Sequence, residues 1–337
     1  RLAPLPRFTT SPTEAAAALL ADNLVALPTE TVYGLGGFAR SATAVERIFS
    51  TKGRPVNHPV IVHVANADAM AHWAQDVPES SLILANAMWP GPLTLVIPRA
   101  DWVSDAITGG QPTIALRAPR HPLFQKVLAA LESQSEFPPG IAAPSANRFG
   151  RVSPTTAEHV AADIGQLLEP TDLILDGGPC TVGVESTIAI CTDRGVRVAR
   201  SGGISADQLA ELVPVLDADD QPLQRVPGAL ASHYAPSAAV TVVRTAAEFQ
   251  REYRRHLLGA DVGVIGLPED VAACPASWFR LASPATVDDY ARELYSALRL
   301  ADEQGLTQVI ALAPPNVGIG VAILDRLTRA SSDAQAR

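Results

Sequence analysis

Between Val213 and Ala239 the apolar periodicity that marks the rest of this 337-residue chain disappears. The stretch holds Pro214, Pro222, Pro227 and Pro236, with the acidic Asp217, Asp219 and Asp220 among them. A connection this long without a pattern of its own is rare inside a compact domain, so it reads as an inter-domain linker over 213–239. The chain then divides into a first domain over 1–212, the linker, a second domain over 240–331 and a short tail at 332–337. Two domains also suit the length.

Both sides of the linker alternate between short apolar runs and helical spacing. Before it, Ser11-Pro12-Thr13-Glu14 reads as a capping box with Pro at the first helical position, opening an Ala-rich helix. Leu24 to Leu27 reads as a buried strand, followed by a polar, Gly-rich segment to Gly37. Ser41 opens a second helix with Val45, Ile48 and Phe49 on one face, ending near Gly53. Strands are expected at Val60–Val64, Leu93–Ile97, Thr113–Arg117, Ile141–Ala143, Leu173–Leu175, Glu185–Ile190 and Val196–Ala199. Helices fit Ala67–Ala74, Glu79–Met88, Pro122–Leu131, Thr156–Ile164 and Ala206–Leu212. This is the pattern of an α/β domain with a large twisted mixed sheet flanked by helices. After the linker, strands at Val240–Val243, Val262–Leu267 and Gln308–Leu312 alternate with helices at Ala246–Leu258, Val287–Ala301 and Ile319–Ala330. That predicts a smaller Rossmann-like α/β unit.

Composition narrows the function. Hydrophobic residues are 47% and charged residues 18%, enough to bury sizeable cores. The net charge is −9, which argues against tight non-specific binding of nucleic acid. Three cysteines, Cys180, Cys191 and Cys274, have no CxxC spacing, so neither a disulfide framework nor a zinc ribbon is expected. No apolar run approaches the length that spans a bilayer, and no signal-peptide pattern opens the chain, so a soluble cytoplasmic protein without membrane contact is expected. Of 26 basic residues only Lys52 and Lys126 are lysine. A chain that otherwise uses Arg retains Lys where a compact point charge, such as a phosphate contact, is needed.

Several segments combine small, hydroxyl and basic residues. Pro28-Thr29-Glu30-Thr31-Val32-Tyr33-Gly34-Leu35-Gly36 lies between a strand and a helix, either as a ligand loop or as a Thr-capped turn. Lys52-Gly53-Arg54-Pro55 closes a helix, where cations either bind an anion or complement the helix dipole. His63 alternates with Ile61 and so faces inward, where an imidazole needs a partner. Thr113, Ala115 and Arg117 share a strand face, and an inward Arg requires an anion, either a ligand carboxylate or a protein Asp or Glu. Ala143-Pro144-Ser145-Ala146-Asn147, Gly183-Val184-Glu185-Ser186-Thr187 and Arg200-Ser201-Gly202-Gly203 permit close backbone approach and phosphate contacts. No P-loop, GxGxxG, HExxH or GxSxG pattern occurs, so any nucleotide site is assembled from dispersed pieces, and no resident metal site is expected.

Taken in order, PTETVYGLG, KGRP, VHV, WPGPLT, RAPRHP, APSAN, SPT, GVESTI and HYAP make the chain similar to the two-domain threonylcarbamoyl-AMP synthases, a YrdC-like domain followed by a smaller C-terminal domain. The resemblance covers nearly the whole chain and is strongest from Pro28 to Gly203. It implies a nucleotidyltransferase that makes threonylcarbamoyl-adenylate and pyrophosphate from L-threonine, bicarbonate and ATP, with Mg²⁺ accompanying the ATP. Partner proteins would then transfer the group to a tRNA adenosine beside the anticodon. By resemblance, Thr31, His63, Arg117, Ala143 and Ser186 hold threonine. Lys52, Arg54, His58, Thr113, Ser145, Ser153, Arg200 and Tyr234 contact ATP, with Lys52 and Arg54 as the catalytic cations and Tyr234 folding back from the linker as part of a lid. Glu30 and Glu185 are nearby carboxylates. Departures include His58 where Asn is common and Phe149 where Ser is frequent. Two other readings are a carbamoyl-adenylate-forming relative and an RNA-binding or ribosome-maturation module. The relative carries cysteine-rich segments missing here; weak RNA contact in the second case would use Arg54, Arg148, Arg151 and Arg200.

Overall fold

The computed structural model describes residues 6–217, 224–227, 234–257, 259 and 261–332. The tail expected over 332–337 lies outside them except for Ser332, as do parts of the linker. The chain forms two compact units. The first comprises Arg1–Phe149, Pro154–Thr181 and Glu185–Ala229; the second comprises Gly150–Ser153, Val182–Val184 and Leu230–Arg337. Among the described residues no helix is long and apolar enough to cross a membrane.

The first unit is built on ten strands: β1 (Arg7–Thr9), β2 (Val25–Leu27), β3 (Gly34–Phe38), β4 (Ile61–His63), β5 (Leu93–Pro98), β6 (Thr113–Arg117), β7 (Ile141–Ala142), β8 (Leu173–Leu175), β9 (Thr187–Thr192) and β10 (Gly195–Arg200). Their order is β1-β8-β2-β3-β7-β4-β6-β5-β9-β10. The sheet is mixed: β4 and β6 run parallel with His63 opposite Arg117, and β7 runs antiparallel to β4 with Ile141 opposite His63. Period two sorts β6 into Ile114 and Leu116 on the face of the main core, with Ala115 on the other. That other face carries Ile61, Val96, Ala115, Ile188 and Ile190, and Val226 seats on it.

Two expectations need correcting. The Gly-rich segment after Leu27 holds a strand, β3, rather than only a loop. Its glycines are there for closeness: a Cβ on Gly36 would stand 2.6 Å from a Leu27 methyl and 2.9 Å from one of Ile141. Neighbouring strands therefore close over a strand in which only Leu35 and Phe38 carry side chains to betray it. Part of the expected linker also belongs to the first unit's packing. Val213 is buried, Val215 bridges Val196, and Gln224 to Pro227 return to the sheet.

The helix Ala42–Lys52 shows how local rules aim a functional side chain. Ser41 caps it by accepting from the Ala44 N–H, and Gly53 ends it at φ 62°, a conformation glycine takes without strain. Its buried stripe is Val45, Ile48, Phe49 and Lys52. Lys52 thus falls on the core-facing side at helical spacing.

The second unit is a four-stranded parallel sheet of β11 (Ala239–Val243), β12 (Val262–Ile265), β13 (Phe279–Ala282) and β14 (Gln308–Leu312), in the order β11-β14-β12-β13. Strand β13 and the short helix Pro268–Ala272 were not legible in the sequence.

A polar cluster at the carboxyl ends of β4 and β6

Arg117 ends β6 almost fully buried, and its partner is Glu30, 2.8 Å away and equally buried. The inward arginine is thus answered by a protein carboxylate. Glu30 also accepts from the Arg120 N–H at 3.0 Å, which pins it against the strand end. Arg117 donates from a second nitrogen to the Thr31 hydroxyl at 2.9 Å and from Nε to the Gly91 carbonyl at 3.3 Å.

The Thr29 hydroxyl oxygen ties the loop together: it lies 2.6 Å from the Val32 carbonyl, accepts from the Thr31 and Val32 N–H groups at 3.1 Å, and stands 2.8 Å from the Thr31 hydroxyl. The Thr31 oxygen in turn accepts from Arg117. Beside it, the His63 Nδ1 faces the Ile141 carbonyl at 3.3 Å, and its ring packs against Phe124. Burial, and next the Arg117 charge, push its pKa down to about 3, so the imidazole is neutral and Nδ1 donates.

Across β5, Ser186 precedes β9. Its hydroxyl lies 2.7 Å from that of Thr94, and Arg200 donates to both its carbonyl at 2.8 Å and its hydroxyl at 3.1 Å. Gly202 makes this possible, because a Cβ there would stand 2.3 Å from the Glu185 carbonyl and the Thr187 nitrogen. Arg200 also donates to the Pro227 carbonyl at 2.9 Å. Thr113 donates to Gln224 at 3.2 Å. Both residues thus contact the segment that seats Val226.

Lys52 lies in a separate niche. Its ammonium donates to the carbonyls of Ser145, at 2.5 Å, and Asn147. Burial, and then the nearby Arg54 charge, lower its pKa well below the usual lysine value. The loop from Ala143 to Phe149 is laced to its surroundings: Leu35 N–H to Pro144, Ala146 N–H to Tyr33 and Phe149 N–H to Lys52. Ala143 itself donates its N–H to Ile61 and stands against Gly34, where a Cβ would be 3.1 Å away. Arg54 donates to the Pro59 carbonyl at 2.8 Å and lies 5.7 Å over the Phe149 ring, and His58 meets that ring edge-on at 5.5 Å. Burial, and next Arg54 and Arg225, lower the His58 pKa.

The first unit thus brings together Thr31, His63 and Arg117; joins Lys52 to Ser145; groups Arg54 with His58; and ties Ser186 to Arg200. Ser153 and Tyr234 belong to the second unit. Ser153 is fully buried. Tyr234 is 1% exposed, stacks on Tyr295 at 5.7 Å and lies under the Arg326 guanidinium at 5.2 Å. Its neighbour His233 and the rest of 228–233 lie outside the described residues. The sequence reading missed Thr94, Asn147 and the Gln224–Pro227 segment as partners of site residues, and weighed Phe149 only as a departure. The WPGPLT segment that holds Thr94 reads as a turn, and its hydroxyl was the available signal.

Among the described residues no group of three or more His, Cys, Asp and Glu side chains is placed to hold a metal. The charged groups beside the Ser145 loop include the cations Lys52 and Arg54, and the Asp163 carboxylate also acts on Lys52.

Comparison with known proteins finds similarity over most of the chain. A Sua5/YciO/YrdC family profile, described as telomere recombination, matches residues 17–202. A profile described as the threonylcarbamoyl-AMP synthase C-terminal domain matches 204–332. The threonylcarbamoyl-AMP synthase of Pyrococcus abyssi is 39% identical over 91% of this chain and 90% of its own length. That of Bacillus subtilis is 38% identical over 94% of this chain and 92% of its own. The crystal structure of P. abyssi Sua5 complexed with L-threonine superposes with a TM-score of 0.82 at 36% identity, covering 95% of this chain and 94% of that one. The chain belongs to the threonylcarbamoyl-AMP synthase family in which a Sua5/YciO/YrdC domain is followed by a Sua5 C-terminal domain.

Proposed function

We propose that the chain makes threonylcarbamoyl-AMP and pyrophosphate from L-threonine, bicarbonate and ATP, as a nucleotidyltransferase. The observation that carries this is the directed polar cluster of Arg117, Thr31 and His63 at the carboxyl ends of β4 and β6, where α/β sheets bind ligands. A guanidinium has five N–H donors. Two go to the Thr31 hydroxyl and the Gly91 carbonyl, and the third nitrogen faces Glu30 as an ion pair, leaving N–H donors for an amino-acid carboxylate. The amino group then lies beside the Thr31 hydroxyl that Arg117 holds. Neutral His63 adds no charge that would repel it. The L-threonine complex of the P. abyssi relative supports the same ligand here.

The reaction has two steps. The threonine amine attacks the carbon of bicarbonate with loss of water, or of carbon dioxide formed from bicarbonate by loss of hydroxide, and gives up a proton to leave a carbamate. A carbamate oxygen then attacks the α-phosphorus in line, and the bond to the β-phosphate oxygen breaks to release pyrophosphate. Positioning and charge neutralisation dominate such transfers. Lys52 uses two of its three donors on carbonyls and has a third for a phosphate oxygen. Arg54 and Arg200 are the further cations, with His58, Thr113 and Ser145 as additional ATP contacts, and Ala143 and Ser186 shape the threonine side. Glu30 is held by the Arg117 guanidinium and the Arg120 N–H, so it positions the arginine. The product passes to the proteins that modify the tRNA adenosine beside the anticodon.

Pyrophosphate release tests this reading. With ATP, Mg²⁺ and bicarbonate, release is expected to depend on L-threonine. Release at the same rate without threonine, or only with carbamoyl phosphate, would overturn it.

A further inference from the structure

The segment Trp89-Pro90-Gly91-Pro92-Leu93-Thr94 leads into β5, and β5 stands between β6 and β9 in the sheet. Arg117 ends β6 and Ser186 precedes β9, so one strand separates these two members of the polar cluster. That strand, with the turn that opens it, is where a joining group can stand.

The segment touches both sides. The Gly91 carbonyl accepts from Arg117 Nε at 3.3 Å, and the Gly91 N–H donates to the Ala118 carbonyl at 2.8 Å. The Pro90 carbonyl accepts from Arg120 Nε at 3.1 Å, and the Arg120 N–H in turn holds Glu30. On the other side the Pro92 carbonyl accepts from the Thr187 N–H at 3.0 Å, and the Thr94 hydroxyl lies 2.7 Å from that of Ser186. The turn itself is tight. Trp89 Nε1 donates to the Leu93 carbonyl at 2.7 Å, and a Cβ on Gly91 would stand 2.3 Å from the Met88 carbonyl. A stretch that reads as a turn thus serves as a spacer between the arginine and the serine.

The hydroxyl pair has a direction. Thr94 is fully buried, and a buried hydroxyl proton left without an acceptor costs more than a hydrogen bond returns. Among the described residues the Thr94 hydroxyl is paired with Ser186 alone, so Thr94 donates and Ser186 accepts. Arg200 donates to the same Ser186 oxygen at 3.1 Å, which occupies its second lone pair. What remains on Ser186 is its own proton. Ser186 is 1% exposed, and among the described residues no acceptor is paired with that proton. A buried donor of this kind points to a ligand oxygen.

We propose that Thr94 is a positioning residue for the reaction: its hydroxyl fixes that of Ser186 so that Ser186 donates to an oxygen of the bound amino acid. This role rests on the reading of the cluster as the threonine site. Thr94 acts through Ser186 and does not itself touch substrate.

Two substitutions separate the features of the Thr94 side chain. Thr94→Val keeps its shape and removes the hydroxyl; Thr94→Ser keeps the hydroxyl and removes the methyl group. KM values for L-threonine and ATP are taken from pyrophosphate release. Thr94→Val is expected to raise the threonine KM about tenfold, the worth of one directed hydrogen bond, and to raise the ATP KM less. Thr94→Ser is expected to stay near the unaltered chain. In a Ser186→Ala background Thr94→Val is expected to add nothing, because its effect runs through the hydroxyl already removed. Thr94→Ala differs from Thr94→Ser by the hydroxyl alone and gives the same comparison if Thr94→Val does not fold. An unchanged threonine KM in Thr94→Val would overturn the proposal. So would equal impairment in Thr94→Ser, which marks packing, or a full further loss in the Ser186→Ala background. No threonine-dependent release by the unaltered chain would instead overturn the proposed reaction, and this role with it.

Discussion

Arg117 and Lys52 are both buried cations, and they are stabilised differently. Arg117 has a carboxylate partner, so removing that partner leaves an uncompensated charge. Glu30→Gln is expected to cost about 3–5 kcal/mol of stability, the usual penalty for breaking a buried pair, and to raise the KM for L-threonine. A denaturant titration and substrate kinetics check the two effects. Lys52 has only carbonyls, in a niche shaped for an ammonium. Lys52→Ala is expected to lower turnover about 10²–10³-fold, as for other preorganised electrostatic groups, and Lys52→Arg to rescue little of it. Turnover near that of the unaltered chain in either variant would remove Lys52 from the proposed machinery. His63 gives a pH signature. Its folded pKa of about 3 lies below its ordinary 6.5, so the unfolded chain binds the extra proton between those values. Its contribution to stability is therefore complete above about 6.5 and is lost as pH falls towards about 3. Replacing it by Gln should flatten the acid limb of a stability–pH curve by that one group, and an unchanged limb would contradict the burial argument. His58 and Phe149, two of the departures from the family pattern, touch each other. This pairing was invisible until the loop that carries Phe149 was placed beside the helix end.

At the scale of elements, legibility followed side-chain periodicity. The helix Glu79–Met88 and the strands Thr113–Arg117, Leu173–Leu175 and Gln308–Leu312 stand where the pattern put them, because each alternates or repeats over enough residues. β3 was hidden by its glycines, β1 by its exposed, mixed Arg7-Phe8-Thr9, which makes no apolar run, and the helices Asp105–Thr108 and Pro268–Ala272 by lasting about one turn. The site was legible as a set of segments and not as a network. Glu30 and Arg117, or Arg200 and Pro227, meet only through the sheet, and spacing along the chain carries no trace of that. Two predictions belong here. Gly202→Ala forces a Cβ against the Glu185 and Thr187 backbone, so it is expected to displace Ser186 and raise the KM for threonine more than it alters the far-ultraviolet spectrum. Val226→Asp would put a charge on the apolar face of β4, β5, β6 and β9, releasing the Gln224–Pro227 segment that Thr113 and Arg200 hold. A raised KM for ATP with a nearly unchanged melting temperature is expected.

Across the whole molecule, the aperiodic stretch announced two units, and the chain does form two. The boundary is less simple than a single linker. Gly150–Ser153 and Val182–Val184 leave the first unit's stretch of chain for the second, while Gln224–Pro227 stays with the first. Such exchanges come from tertiary packing, which periodicity does not encode. The polar cluster that carries the proposed chemistry is complete within the first unit, and the second unit has a parallel sheet of its own. The central claim concerns what the first unit makes. The most direct measurement is mass spectrometry of the quenched product after reaction with L-threonine, ATP, Mg²⁺ and ¹³C-bicarbonate. The account predicts threonylcarbamoyl-AMP that carries one ¹³C and forms with equimolar pyrophosphate. An adenylate that lacks the label, or AMP formed without any threonine-containing product, would contradict it.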